Sequence, residues 1–141
     1  MYVDCHSHLD HVRFSDIDDV IRRCKENNVV AISCGVNKDS NRNVLKISKK
    51  YPDVVKAALG MFPFDAIGIE RDSSYLSSIP SKFDVDEELE FIQKNKKNIV
   101  AISEVGLDKS VEHHYIEKQK AVFSKIIELS EKINKPLIVH S

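Results

Sequence analysis

The chain has 141 residues, of which 42% are hydrophobic and 30% are charged, and its formal net charge is -1. This length and composition predict one globular domain (residues 1–141) with a single core, and they exclude a disordered or fibrous protein. The low net charge excludes a global basic field for nucleic acid, so such a contact needs a local cluster such as Lys94, Lys96 and Lys97. A solvated helix end explains this cluster equally well, and we favour that interpretation.

The cysteines indicate a reducing compartment. Cys5, Cys24 and Cys34 are odd in number and show no Cys-x-x-Cys spacing, which argues against a disulfide framework or a cysteine-based zinc site. The N-terminus turns polar at Asp4, unlike a secretory signal, and no apolar run has the length of a membrane span. We therefore expect a cytoplasmic protein. Cys5 lies within the first predicted strand, and we expect it to pack in the core rather than to bind metal.

The first half of the chain alternates short apolar runs with amphipathic stretches. Strands are predicted at 2–5, 29–34 and 54–59. A capping signature at Ser15 opens the first helix, and Ser40 is predicted to cap a second helix that ends before Pro52. The result is a repeated strand–helix rhythm.

Residues 60–83 interrupt this rhythm with Gly, Pro and Ser and show no clear period, which predicts a long irregular loop after the third strand. Asp84 is then expected to cap a helix, and a strand follows at 99–103. A long helix carries Ile116 and Ile133 near one face and cannot continue through Pro136, after which the fifth strand runs to His140.

Three of the predicted strands lead into residues of metal-binding type. His6 and His8 follow the first strand, Glu104 follows the fourth and His140 ends the fifth. Continuous apolar strands separated by helices predict a parallel sheet. Only closure of such a sheet brings the ends of strands one, four and five to a common centre, so this pattern favours a barrel over an open sheet.

The His-x-His pair supplies half of a possible metal site. Side chains two residues apart on a strand share a face, so His6 and His8 project side by side. By itself the pair is equally consistent with a structural role, and Glu104 is open to interpretation as an ordinary surface carboxylate. The position of Glu104 directly after an apolar strand argues against a role as a surface carboxylate.

At these positions the chain resembles the TatD-like metal-dependent hydrolases of the amidohydrolase-type barrel superfamily. The resemblance rests on three motifs in the same order along the chain: Asp4-Cys5-His6-Ser7-His8-Leu9-Asp10, Ala101-Ile102-Ser103-Glu104-Val105-Gly106-Leu107-Asp108 and Lys135-Pro136-Leu137-Ile138-Val139-His140-Ser141. It implies a TIM-type (β/α)8 barrel, of which this chain would supply the N-terminal half with about five β/α units, parallel strands and outer helices.

The resemblance also implies a function and a site. His6 and His8 are expected to hold one divalent ion (zinc, manganese or magnesium), Glu104 to bridge as the catalytic carboxylate, and His140 to serve a second ion. The implied reaction is cleavage of phosphodiester bonds in DNA by a water that the metal activates. Asp10 and Asp108 are either turn residues that bond their own backbone or carboxylates that orient a histidine or a water. His11, His113 and His114 are predicted to be surface residues.

The sequence departs from the family pattern in two respects. Gly60-Met61-Phe62-Pro63 stands where the family usually has Gly-x-His-Pro, so Phe62 removes a polar group. The family barrel also continues beyond a fifth strand. Two alternatives therefore stay open: an amide or lactone hydrolase of the same superfamily, and a non-catalytic half-barrel that folds by self-association, most simply as a homodimer.

Overall fold

The fold consists of a parallel sheet whose strands alternate with helices. The computed structural model describes residues 1–69, 83–110 and 112–141. The strands are β1 (Tyr2–Ser7), β2 (Val29–Cys34), β3 (Val55–Leu59), β4 (Ile99–Gly106) and β5 (Leu137–His140). The helices are α1 (Ile17–Glu26), α2 (Lys38–Lys50), α3 (Pro63–Ala66), α4 (Val85–Lys94) and α5 (His113–Ile133).

All five described strands are parallel, and their order in the sheet, β1-β2-β3-β4-β5, follows the chain. The sheet curls strongly. The N–H of Glu104 in β4 donates to the carbonyl of Gly35, just after β2, at 2.8 Å, although β3 lies between these strands. The predicted parallel barrel segment is confirmed.

The two faces of the sheet differ in what covers them. On the helix side, Leu59 and Ile102 pack with Val44 of α2 and Ile126 of α5. The opposite face carries a separate cluster made from strand residues alone, and its buried members are small: Cys34, Ala58 and Ala101. Small side chains on the concave face leave room for neighbouring strands to approach each other, which suits the strong curvature.

Two glycines let the strand ends come together. A Cβ on Gly60, just after β3, would overlap the backbone of Ser103, and one on Gly106 would overlap the carbonyl of His140. Gly106 also has a φ of 145°, which L side chains rarely adopt. Glycine at these positions therefore allows β3, β4 and β5 to converge.

Several sequence predictions about local structure are wrong. Asn37, not Ser40, caps α2, because the Ser40 N–H donates to Asn37 Oδ1 at 3.0 Å. At the start of α1 the N-cap residue is Asp16, without a side-chain capping bond, so the capping signature at Ser15 does not operate. Cys5 is exposed rather than buried, because β1 is an outer strand of the sheet.

Other predictions hold with altered bounds. The Asp84 side chain caps α4 by accepting from the N–H groups of Asp86 and Glu87. The fourth strand continues to Gly106, so Glu104 lies inside it rather than just after it. The predicted loop at 60–83 contains the short helix α3, and its residues 70–82 lie outside the described part of the chain.

Two further observations bear on the surface. The Nζ of Lys94, at the end of α4, lies 3.2 Å from Oε2 of Glu90. Lys96 and Lys97 are exposed, and these observations agree with a solvated helix end. Across the described ranges, none of the helices combines the length and apolar character that crossing a membrane requires.

Candidate metal centre

The ligand candidates of β1 and β4 lie at points where the strand pairing is irregular. The pairing of β1 with β2 shifts between Asp4 and Ser7, around His6, and the pairing of β4 with β5 shifts between Ile102 and Val105, around Glu104. Such irregularities turn a side chain away from the regular alternation of a strand. In this sheet they accompany the convergence of His6 and Glu104.

His6, His8 and Glu104 form the centre of the site. One possible ligand atom from each residue lies within 4.8 Å of the other two. The Nε2 atoms of both histidines lie 3.3 Å from the same carboxylate oxygen, Oε2 of Glu104. The structure thus brings together two imidazoles and a carboxylate, a donor set that suits zinc or another divalent transition metal.

The orientation of His8 fits a ligand role. Its Nδ1 lies 2.8 Å from the carbonyl oxygen of Cys34, which can only accept a hydrogen bond, so Nδ1 carries a proton. In the neutral ring, Nε2 then has a free lone pair directed toward the centre. A second hydrogen bond of this kind commonly sets the tautomer of metal-binding histidines.

His140 approaches the same carboxylate from its other side. Its Nδ1 lies 2.9 Å from Oε1 of Glu104, and its Nε2 lies 3.1 Å from Oδ2 of Asp108. The two oxygens of Glu104 therefore face different partners, with His6 and His8 at Oε2 and His140 at Oε1. This arrangement is suited to a carboxylate that bridges two positions.

Electrostatics favours an ionised Glu104. Burial alone would raise the pKa of this carboxyl group, but the hydrogen bond with His8 and the charges of His6 and His8 outweigh it and lower the pKa to about 2. Conversely, the hydrogen bond with Glu104 is the main reason that the pKa of His8 is raised. The site therefore holds a negative charge ready for a cation.

Asp108 makes contacts with both a local turn and His140. Its Oδ1 accepts from the N–H of Ser110 at 2.9 Å, which makes a local turn, and from the Ser110 hydroxyl at 2.6 Å. Its Oδ2 contacts His140. Burial opposes but does not cancel the effect of the Ser110 and His140 hydrogen bonds, and the pKa of Asp108 is lowered.

Asp10 lies near the site but bonds to a different partner. Its Oδ2 accepts from the hydroxyl of Ser40 at 2.6 Å, and its other oxygen is buried without a hydrogen-bond partner in the described part of the chain. Burial raises the pKa of this carboxyl group. Its proposed role in orienting a histidine or a water therefore stays a prediction.

Phe62 forms an apolar wall beside His140. The residue is 7% exposed, and the centroid of its ring lies 4.6 Å from that of the His140 ring in an edge-to-face arrangement. His113 and His114 are exposed as predicted, and His11 is partly buried. Neither His113 nor His114 belongs to the three-residue cluster of possible ligands.

Sequence reasoning missed two buried amides that hold the site's loops. The Asn41 amide exchanges two hydrogen bonds with the backbone of Gly60, at 2.9 and 3.0 Å, and also donates to Glu88. Gln119 makes an equivalent pair with the backbone of Asp108. A detectable signal existed for Gln119, because it is a polar residue on the helix face that also carries Ile116 and Ile126.

Comparison with known proteins agrees with this architecture. A family profile described as "TatD related DNase" matches residues 3–141. The human protein named deoxyribonuclease TATDN3 is 32% identical over 145 residues, which cover 99% of this chain and 51% of the human protein. The uncharacterized metal-dependent hydrolase MJ1582 of Methanocaldococcus jannaschii is 28% identical, with 99% and 50% covered.

Solved structures show the same fold. The TatD homolog YJJV of Escherichia coli superposes with a TM-score of 0.75 at 25% identity, covering 99% of this chain and 50% of that protein. A TatD family hydrolase from Entamoeba histolytica gives a TM-score of 0.76 at 20% identity, with 99% and 49% covered. The chain thus spans about half the length of the relatives that it matches. On the family match and the identity to the human relative, this chain belongs to the TatD family.

Proposed function

We propose that the chain, as residues 1–141 of a TatD-type barrel, binds divalent metal through His6, His8, Glu104 and His140. The observation that carries this proposal is the convergence of His6, His8 and Glu104 to within 4.8 Å at one end of the sheet. Glu104 would be shared between two ions, since its Oε2 faces His6 and His8 and its Oε1 faces His140. Asp108 would orient His140 through the contact between its Oδ2 and Nε2 of His140, which lie 3.1 Å apart. Zinc, manganese and magnesium are the candidate ions.

The reaction that we propose is metal-dependent hydrolysis of phosphodiester bonds in DNA. Its support is the family description and the deoxyribonuclease name of the human relative. When bound, a divalent cation supplies Lewis acidity, which makes water more acidic and offsets the charge on a phosphate. The chain's own contribution is an ionised Glu104 held between histidines, with Phe62 limiting access of water to one side of His140.

The decisive substitution is Glu104→Gln, which keeps the shape of the side chain but removes its charge. We expect the wild type to bind Mn²⁺ and to cleave a single-stranded oligonucleotide only with that ion present, and the variant to lose both properties while it stays folded. Calorimetry, an oligonucleotide cleavage assay and circular dichroism give the three readings. Glu128→Gln, on the exposed surface of α5, is the matched control.

The outcomes separate the alternatives. Cleavage in excess chelator would contradict the metal mechanism, and unfolding of the Glu104→Gln variant would give this residue a structural role. Hydrolysis of a lactone substrate without cleavage of DNA would transfer the proposal to the amide and lactone hydrolases. Metal binding without turnover would indicate a non-catalytic chain.

We also propose a cytoplasmic location. Cys5, Cys24 and Cys34 are free thiols in the structure, which agrees with a reducing compartment. Detection of a tagged chain by cell fractionation tests this location.

A further inference from the structure

Gln119 is a buried polar side chain in the middle of an apolar helix face. It is 1% exposed on α5, where Ile116 and Ile126 are also buried. Burying an amide is unfavourable unless its donor and acceptor both find partners. An apolar residue would pack there without that requirement, so the partners of Gln119 indicate what the amide does.

Both partners of Gln119 belong to one residue. Its Oε1 accepts from the backbone N–H of Asp108 at 2.7 Å, and its Nε2 donates to the backbone carbonyl of Asp108 at 3.1 Å. Asp108 lies two residues beyond the end of β4, where no sheet ladder holds it. Gln119 thus supplies the two backbone hydrogen bonds that a neighbouring strand would otherwise make, and it fixes both the position and the direction of this peptide.

The Asp108 carboxylate is oriented as a consequence. Ser110 occupies Oδ1 with its N–H and its hydroxyl, which leaves Oδ2 for Nε2 of His140 at 3.1 Å. With Nε2 held by this carboxylate, the neutral His140 ring would present the lone pair of Nδ1 to a metal ion. That nitrogen lies 2.9 Å from Oε1 of Glu104.

We propose that Gln119 is a positioning residue of the metal centre, acting through Asp108 on His140 and Glu104. Its hydrogen bonds in the described part of the chain go to the Asp108 backbone rather than to His140 or Glu104. The inference rests on the proposed function, since it assigns Gln119 to the metal site proposed above. Outer partners that orient ligands in this way commonly change metal affinity about 10- to 100-fold when they are removed.

The test is the substitution Gln119→Met in the full chain, measured by calorimetry with Mn²⁺ alone. Methionine preserves length and helix preference but removes both hydrogen bonds. We expect the dissociation constant to rise about 10-fold or more. Ile126→Val, another buried position of α5, is the control that perturbs packing without touching Asp108, and its Mn²⁺ affinity should equal that of the wild type.

A double-mutant cycle shows whether Gln119 acts through Asp108. In the background of Asp108→Ala, Gln119→Met should give no further loss of affinity, because the connection to His140 is already broken. Independent losses that add would overturn the proposed route. If Gln119→Met fails to fold, Gln119→Leu takes its place, because leucine also fills this buried position without either hydrogen bond, and the same loss of affinity is expected.

A wild type that binds no Mn²⁺ would remove the metal site and the role of Gln119 with it. Wild-type affinity in a folded Gln119→Met or Gln119→Leu variant would overturn the role of Gln119 alone and leave the site intact.

Discussion

At the scale of single residues, the site is held by shared protons and charges. The carboxylate of Glu104 is in contact with three histidines, and its pKa falls to about 2, against the opposing effect of burial. The pKa of His8 moves in the other direction because His8 and Glu104 form a hydrogen-bonded pair. Each of these groups therefore favours the charged form of the other when no metal is bound.

This coupling predicts opposite pH dependences for folding and for metal binding. The raised pKa of His8 stabilises the metal-free fold fully below its usual value of 6.5, and this contribution is lost as the pH rises through the folded pKa. The lowered pKa of Glu104 stabilises the fold above 4.5, and this contribution is lost as the pH falls toward about 2. The stabilisation from the pair should therefore be complete between pH 4.5 and 6.5.

Metal binding, in contrast, requires neutral His8, so affinity for Mn²⁺ should increase with pH through the His8 pKa and binding should release a proton. Urea unfolding of the metal-free wild type and His8→Gln across this range measures the first effect. Calorimetry in buffers of different ionisation enthalpy measures the second. A constant Mn²⁺ affinity from about pH 5.5 to about pH 8, a range from about one unit below to about 1.5 units above the usual histidine value, would contradict the role of His8.

At the scale of elements, the geometry of the centre depends on how β4 approaches β5. Gly106 pairs with His140, and the Leu107 N–H donates to the His140 carbonyl at 3.3 Å. A Cβ on Gly106 would overlap that carbonyl, so β5 can take its place only because this residue has no side chain. His140 is carried to Glu104 by this contact between strands.

Gly106→Ala should therefore displace His140 and weaken Mn²⁺ binding as well as lower stability, the latter by about 1–3 kcal/mol. Gly68→Ala is the matched control. Gly68 also has a positive φ, of 72°, but nothing lies within 4 Å of an added Cβ. We expect the Gly68→Ala variant to lose stability through backbone strain alone and to keep its Mn²⁺ affinity. Calorimetry measures the Mn²⁺ affinity of both variants, and urea unfolding measures their stability. Equal affinities in the two variants would show that His140 tolerates the displacement.

At the scale of the whole molecule, the two outer strands of the sheet present apolar side chains to solvent. Val3 of β1 is 49% exposed and Val139 of β5 is 53% exposed. Exposed apolar residues on unpaired strand edges favour association between chains. Self-association of this chain, most simply as a homodimer, stays a prediction.

Sedimentation velocity at micromolar concentration tests this self-association. The comparison is a variant that carries Val3→Lys plus Val139→Lys on the two outer strands. We expect the wild type to sediment as a dimer or larger species and the variant to shift toward the monomer, because lysine on an edge strand opposes pairing. A wild type that stays monomeric and unfolds cooperatively would show that the edges do not drive association.

What the sequence determined by itself was local or periodic. Alternating apolar runs and amphipathic stretches placed the strands and most of the helices, since burial of one face requires that spacing. The order of His6, His8, Glu104 and His140 at strand ends indicated the site, because parallel strands present their carboxyl ends at one edge.

What only the tertiary structure decided depends on contacts between distant segments. Ser40 and Asn37 are both good capping residues. The Ser40 hydroxyl accepts from the Val36 N–H and donates to Asp10, and Asn37 caps α2. The exposure of Cys5 follows from the place of β1 in the sheet. The pairing of Gln119 with Asp108 joins residues 11 positions apart. No periodicity in the sequence encodes such a contact, because it depends on where β4 ends and how α5 packs.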